Sequence, residues 1–155
     1  MNTQEYERLA EKYLDCIYCV AVNGCKHHAD AEDVVQNTFV KLWERTESFA
    51  DEEHARKWLI RVAVNECNSL WRSGWKRHTA YLEELTEEPA CQTAEKSGLY
   101  YAVRELPPKY RQIVYLHYYE EYSIREIAEM MHLSETAVKT RLLRARQKIK
   151  SAMEA

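Results

Sequence analysis

The chain is predicted to be all-α, with two small helical domains joined by an acidic linker, and three observations lead there. Glycine and proline number three each among 155 residues, whereas an all-β chain needs turn residues between its many short strands. Apolar residues recur at three- and four-residue spacing through both halves of the chain. Between the halves, residues 79–98 are acidic, contain Pro89 and Gly98, and lose that period. The expected division is 1–78, a linker over 79–98, and 99–155.

The first helix rests on Tyr6, Leu9, Ala10, Tyr13, Leu14, Ile17, Val20 and Ala21, with Glu5, Glu7, Glu11 and Asp15 opposite. Asn23-Gly24 is its stop. Asp30 is expected to cap a second helix, with Glu32 and Asp33 favoured near the positive end of its dipole. That helix continues through Val34, Val35, Thr38, Phe39, Leu42 and Trp43 into the acidic loop Ser48 to Glu53. A third helix is expected from about His54 to Trp71, with Trp58, Leu59, Val62, Ala63 and Cys67 inward. It leads into the basic stretch Arg72-Ser73-Gly74-Trp75-Lys76-Arg77-His78. Beyond the linker, Leu99, Val103 and Leu106 open a new apolar unit. Pro108 suits the first turn of the next helix, where a missing amide proton costs little, and Ile113, Val114, Leu116, His117 and Tyr118 carry that helix on.

The last two helices have the spacing of a helix-turn-helix. Ser123 caps one, with Glu126 three residues on completing a capping box, and Ser134 caps the other. His132-Leu133 turns the chain, and histidine is among the side chains enriched in the left-handed conformation such a turn takes. Ala128 is small enough for a close crossing, and Ile127, Leu133, Val138 and Leu142 can pack the elbow. The second helix of such a motif lies in the major groove of DNA. Lys139, Thr140, Arg141, Leu143 and Arg144 occupy successive turns of its exposed side, where Arg and Lys can meet guanine and Thr or Leu a thymine methyl. Arg146, Lys148 and Lys150 continue the charge toward phosphates.

Net charge is −3, yet it is segregated along the chain: −7 over 1–53, +5 over 54–78, −4 over 79–98 and +3 over 99–155. Two basic regions in an acidic chain are an electrostatic footprint for nucleic acid. No apolar run reaches the roughly 18 residues of a membrane span, the acidic N-terminus is unlike a signal peptide, and five unevenly spaced cysteines do not form a secreted framework. A reduced, cytoplasmic protein is expected. Catalysis has no foothold, since phosphate loop, nucleophile elbow and paired metal-binding histidines are all missing. Cys16, Cys19, Cys25, His27 and His28 are metal-ligand types in close order, but two of the cysteines fall inside a periodic helix where reduced thiols behave as small hydrophobes. No cofactor or metal is expected.

Two blocks, Asp30-Ala31-Glu32-Asp33-Val34-Val35-Gln36-Asn37-Thr38-Phe39 and Leu106-Pro107-Pro108-Lys109-Tyr110-Arg111 through Arg146, resemble bacterial RNA polymerase sigma factors of the small extracytoplasmic-function type. The segment Trp58-Leu59-Ile60-Arg61-Val62-Ala63-Val64-Asn65 extends the match. The resemblance implies a region 2 helical bundle over 1–78 and a region 4 helix-turn-helix over 99–155. It implies binding to core polymerase through Asp33, Gln36, Asn37, Val40 and Trp43, where the family usually has glutamate at the position of Asn37. It implies reading and melting of the minus-10 element through Phe49, Arg61, Asn65, Arg72, Lys76 and Arg77, with Trp71 or Trp75 stacking on bases. Lys139, Thr140, Arg141, Leu143, Arg144 and Arg146 would then read the minus-35 element. The implied partners are core RNA polymerase, double-stranded promoter DNA, the melted non-template strand and an anti-sigma factor.

Three residues have competing uses. Phe39 and Trp43 lie on the helix that would contact polymerase, yet at least one of them is expected to pack in the core, and Phe49 is as well suited to packing as to walling a pocket for an extruded base. Two other classes stay open at this level: a freestanding helix-turn-helix regulator, which would dimerise on a palindrome, and a sensor built on the cysteine cluster.

Overall fold

The computed structural model describes residues 2–72 and 98–154, and the chain separates into two compact units, Met1–Cys91 and Gln92–Ala155. Every regular element among the described residues is helical. Lys76, Arg77, Trp75 and most of the expected linker lie outside the described residues.

In the first unit, α1 (Thr3–Gly24), α2 (His28–Glu44) and α3 (Glu52–Arg72) pack pairwise. Leu9, Ile17, Val20, Ala31, Val34, Leu42, Leu59, Ile60, Ala63 and Cys67 are sealed between them. Asn2 starts α1, its Oδ1 accepting from the Glu5 amide at 2.7 Å, and α1 stops at Gly24 as Asn23-Gly24 predicts. The Trp71 indole donates to the Gly24 carbonyl at 2.8 Å, tying the end of α3 to the end of α1.

Two expected helix starts are corrected. Asp30 does not cap α2: the helix starts after the extended residue His27, and Asp30 is buried inside the first turn, where the dipole still favours its charge. The third helix begins at Glu52 rather than His54, because Asp51 accepts from the His54 amide at 2.8 Å while His54 Nδ1 accepts from the Ala50 amide at 3.0 Å. This reciprocal pair stands in for a capping box. Trp58 and Val62, expected inward, are half-buried, and Ala55, Ile60 and Val64 complete the inner face instead.

Glu52 is the main polar tie between α1 and α3. It meets Arg8 at 2.6 Å, Lys12 at 2.9 Å and the Tyr13 hydroxyl at 2.9 Å. Hydrogen bonds from Lys12, Arg8 and Tyr13 hold its carboxyl down to about 2, against an ordinary value of 4.5.

In the second unit, α4 (Gly98–Arg104), α5 (Pro108–Val114), α6 (Ile124–Met131) and α7 (Glu135–Glu154) enclose Leu106, Tyr110, Ile113, Leu116, Ile127, Met130, Val138, Leu142 and Ala145. Pro108 opens α5 as expected. The buried Arg111 donates to the carbonyls of Arg104 at 3.1 Å and Leu106 at 3.3 Å, closing the end of α4. The expected continuation of α5 through Tyr118 is corrected in one respect: from Tyr115 to Tyr119 the chain makes a wider π turn, which admits one extra residue. The Glu121 backbone then turns left-handed at φ 60°.

The turn between α6 and α7 has the expected chemistry. Ser123 and Glu126 form the capping box, both bonds at 3.1 Å. His132 is left-handed at φ 56° and ψ 44°, and the Leu133 amide returns to the Ala128 carbonyl at 2.9 Å, which completes a Schellman closure. Ser134 Oγ accepts from the Ala137 amide at 3.0 Å.

Two outcomes follow for stability. Because the Glu52 carboxyl is depressed, its contribution is full above about pH 4.5 and fades as pH falls toward 2. The excess thermal stability of the native chain over Glu52→Gln should therefore be level from pH 5 to 8 and shrink below 4.5, in melts at low salt; a difference that grows on acidification contradicts the tie. At the turn, His132→Val should cost about 1–2 kcal/mol in urea unfolding, since a β-branched residue resists positive φ, while His132→Asn should be near neutral. Equal losses for both would show that the turn makes no such demand.

Candidate functional site

Three exposed helix faces carry the residues singled out in the sequence. The first is on α7. Val138, Leu142, Ala145 and Ile149 form its inward seam. With about 3.6 residues per turn, Thr136, Thr140, Leu143 and Gln147 fall opposite that seam. Lys139, Arg146 and Lys150 lie along one flank, and Arg141, Arg144 and Lys148 along the other. Lys139, Leu143, Arg144 and Arg146 are exposed, and Thr140 and Arg141 half-buried. A strip of uncharged side chains with cations on both sides suits a helix lying in a groove between two phosphate backbones.

Both flanks are held by tyrosines. Arg146 donates through Nε and Nη2 to the Tyr118 hydroxyl at 2.8 and 2.6 Å. Across the helix, Lys148 Nζ lies 5.7 Å and Lys109 Nζ 5.1 Å from the centre of the buried Tyr110 ring. Burial pushes the Tyr110 hydroxyl up, but a hydrogen bond from Arg144 and the charges of Lys109, Arg144 and Lys148 outweigh it and leave the group below its ordinary value of 10.

The second face is on α3. Arg61, Asn65 and Arg72 stand at four- and seven-residue steps, which aligns them along one side of the helix, opposite Leu59, Ala63 and Cys67. Arg72 donates to Ser69 Oγ at 3.3 Å. Phe49 is not an open wall. Arg45 stacks on its ring at 4.2 Å, Trp58 tilts against it at 5.7 Å and His54 meets it edge-on at 5.2 Å. Beside this stack Lys41, Glu44, Arg45, Thr46, Glu47 and Trp58 line a hollow of about 500 Å³. Sequence reasoning missed Arg45 and Trp58 as neighbours of Phe49, because stacking across a loop leaves no periodic trace.

The third face is on α2. Asp33, Gln36, Asn37, Val40 and Trp43 are all exposed on one side of it. The competition between Phe39 and Trp43 is resolved by burial: Phe39 is 8% exposed and belongs to the core, whereas Trp43 is 56% and Val40 55% exposed. Trp43 meets Tyr6 edge-on at 5.0 Å. Asn37 and Lys41 both bond Glu66 on α3, at 3.1 and 2.7 Å. Of the cysteine–histidine group, Cys25 faces Cys67 with sulfurs 3.9 Å apart, and His28 bonds Glu32 at 2.6 Å and Tyr18 at 3.2 Å. These side chains knit α1 to α2 and α3.

Fold and surfaces together define a two-part helical transcription protein, with a helix-turn-helix in one unit and a three-helix bundle in the other. Residues 9–77 match the family description "Sigma-70 region 2" and residues 97–149 match "Sigma-70, region 4". The chain belongs to the extracytoplasmic-function (ECF) RNA polymerase sigma factors. It is 28% identical to the ECF RNA polymerase sigma factor SigM of Bacillus subtilis over 152 residues, covering 94% of this chain and 93% of that protein. It is also 28% identical to the RNA polymerase sigma-E factor of Streptomyces antibioticus, over 97% of this chain and 85% of that one. The fold is shared with the sigma factor RpoE of Bartonella quintana, solved in complex with the anti-sigma factor NepR, at a TM-score of 0.75, 21% identity and 99% coverage of both chains. It is shared also with CnrH, solved in complex with the cytosolic domain of CnrY, at 0.63, 22% identity, and coverage of 99% of this chain and 90% of that one. No helix among the described residues is long and apolar enough to cross a membrane.

As a sigma factor the protein binds core RNA polymerase and directs it to promoter DNA.

Proposed function

We propose that the two units divide promoter recognition as the three faces suggest. Residues 99–155 act as region 4 and read the minus-35 duplex through α7. Residues 1–78 act as region 2, docking on core polymerase through α2 and taking the minus-10 strand along α3. Residues 79–98 link them. The observation that carries this reading is α7: its inward seam is fully spent on the core, and what it presents outward is a readable strip between two cationic flanks.

On α7, Thr140 and Leu143 face base edges, while Lys139, Arg141, Arg144 and Arg146 approach the backbones and groove edges. On α3, Arg61 and Arg72 hold phosphates of the melted non-template strand, and Asn65, between them, offers an amide to a base edge. Lys76 and Arg77, which follow in the sequence, would hold further phosphates of that strand. Phe49 serves by packing: with Arg45 and Trp58 it shapes the loop beside the hollow. On α2, Val40 and Trp43 supply the apolar centre of the polymerase contact and Asp33, Gln36 and Asn37 its polar rim. An anti-sigma factor would silence the protein by covering these faces. RpoE of Bartonella quintana was solved bound to such a protein, NepR. Action inside the cytoplasm, by assisting polymerase without catalysis of its own, completes the reading.

Transcription in vitro from a duplex promoter, with core polymerase and the full chain, tests the division. The native chain should start transcripts, and Lys139→Glu with Arg144→Glu should abolish them while leaving core binding intact. Initiation at native levels by that double variant contradicts the role of α7. For α2, Trp43→Ala should weaken core affinity at least tenfold and Gln36→Ala several-fold in fluorescence titrations; native affinity in both removes α2 as the docking face.

A further inference from the structure

The tyrosine contacts on the two flanks of α7 point beyond the helix itself. Arginine side chains on a helix surface ordinarily sample many rotamers, and that freedom is lost when they bind. Here Arg146 is already held on one flank, with Nε and Nη2 both donating to the Tyr118 hydroxyl. Tyr118 itself lies within the π turn at Tyr115–Tyr119. On the other flank the buried Tyr110 ring lies under Lys109 of α5 and Lys148 of α7, and its hydroxyl is hydrogen-bonded by Arg144 of α7. Lys109 lies outside the helix-turn-helix, yet it shares this tyrosine with the groove-facing helix.

We infer that the second unit holds a two-sided phosphate clamp: Lys109, Arg144 and Lys148, gathered around Tyr110, grip one backbone of the duplex, and Arg146, set by Tyr118, grips the other. Tyr110 and Tyr118 are positioning residues. Lys109 is a direct phosphate ligand supplied from α5. The major groove is about 12 Å wide, so a helix seated in it brings cations on its two flanks toward both rims. Contacts of this kind carry no base information; they fix the register in which Thr140 and Leu143 meet the bases. The inference rests on the reading of α7 as the groove helix, and the test separates the two.

Holoenzyme assembled from core polymerase and the full chain is titrated with promoter duplex across a range of salt. Lys109→Gln should weaken binding to a similar degree on promoters differing in the minus-35 element, and flatten the salt dependence by about one unit of log K against log salt. Tyr118→Phe, which keeps the ring and removes only the hydroxyl, should weaken binding several-fold, and Arg146→Gln added to it should bring little more. An unchanged salt slope in Lys109→Gln, or fully additive losses for Tyr118→Phe and Arg146→Gln, overturns the clamp. Leu143→Ala is read in parallel. If it shifts minus-35 preference, α7 reads the groove whatever the clamp does; if it shifts nothing, the underlying reading of α7 fails as well.

Discussion

The second unit depends on a single backbone constraint, the left-handed residue at His132. It stops α6 and sends α7 off at a fixed angle, so that Val138, Leu142 and Ala145 drop onto the core. A positive φ at a non-glycine residue costs on the order of 1–2 kcal/mol. The bonds it makes possible offset that cost: the Schellman closure at Ala128 and the cap at Ser134 each contribute about 1 kcal/mol. Once the seam of α7 is committed inward, the rest of its surface has no freedom. The strip of Thr136, Thr140, Leu143 and Gln147 must face away, with a cationic flank on either side. The face proposed for groove recognition is thus a consequence of how the turn is closed.

The first unit solves a different problem, how to keep apolar side chains exposed on a stable bundle. Its core is filled by three long helices, and polar ties at Glu52 and Glu66 join α3 to α1 and α2 from outside. Val40 and Trp43 can then remain on the surface, where unburied apolar area marks an interaction site. Asn37 illustrates the coupling. A carboxylate at position 37 would face Glu66 within hydrogen-bond range, whereas the Asn37 amide donates to it at 3.1 Å.

The legible features were those governed by local rules. Ser123 and Glu126, the small Ala128, the permissive His132 and Ser134 each follow from backbone chemistry within four residues, and the periodic faces of α2 and α7 follow from helix geometry. What stayed hidden depends on distant partners or on broken periodicity. The π turn at Tyr115–Tyr119 has no residue signature, so the pairing of Tyr118 with Arg146, 28 positions on, could not be foreseen. Phe49 offered two uses, and the approach of Arg45 and Trp58 across the loop, which favours packing, leaves no trace in the sequence pattern. Asp30 and Asp51 show the limit of cap reading: both are acids before a helical run, yet only Asp51 caps, because His27 already supplies the extended residue that starts α2.

The central claim is that α7 presents one readable strip whose orientation is set by the turn before it. Selection of bound promoters from a randomised duplex pool by holoenzyme, comparing the native chain with Thr140→Arg, tests it most directly. Preferred bases should change at a few adjacent positions of the upstream element while the downstream element is selected as before. Identical selected sequences for both proteins, or changes scattered over both elements, would contradict it.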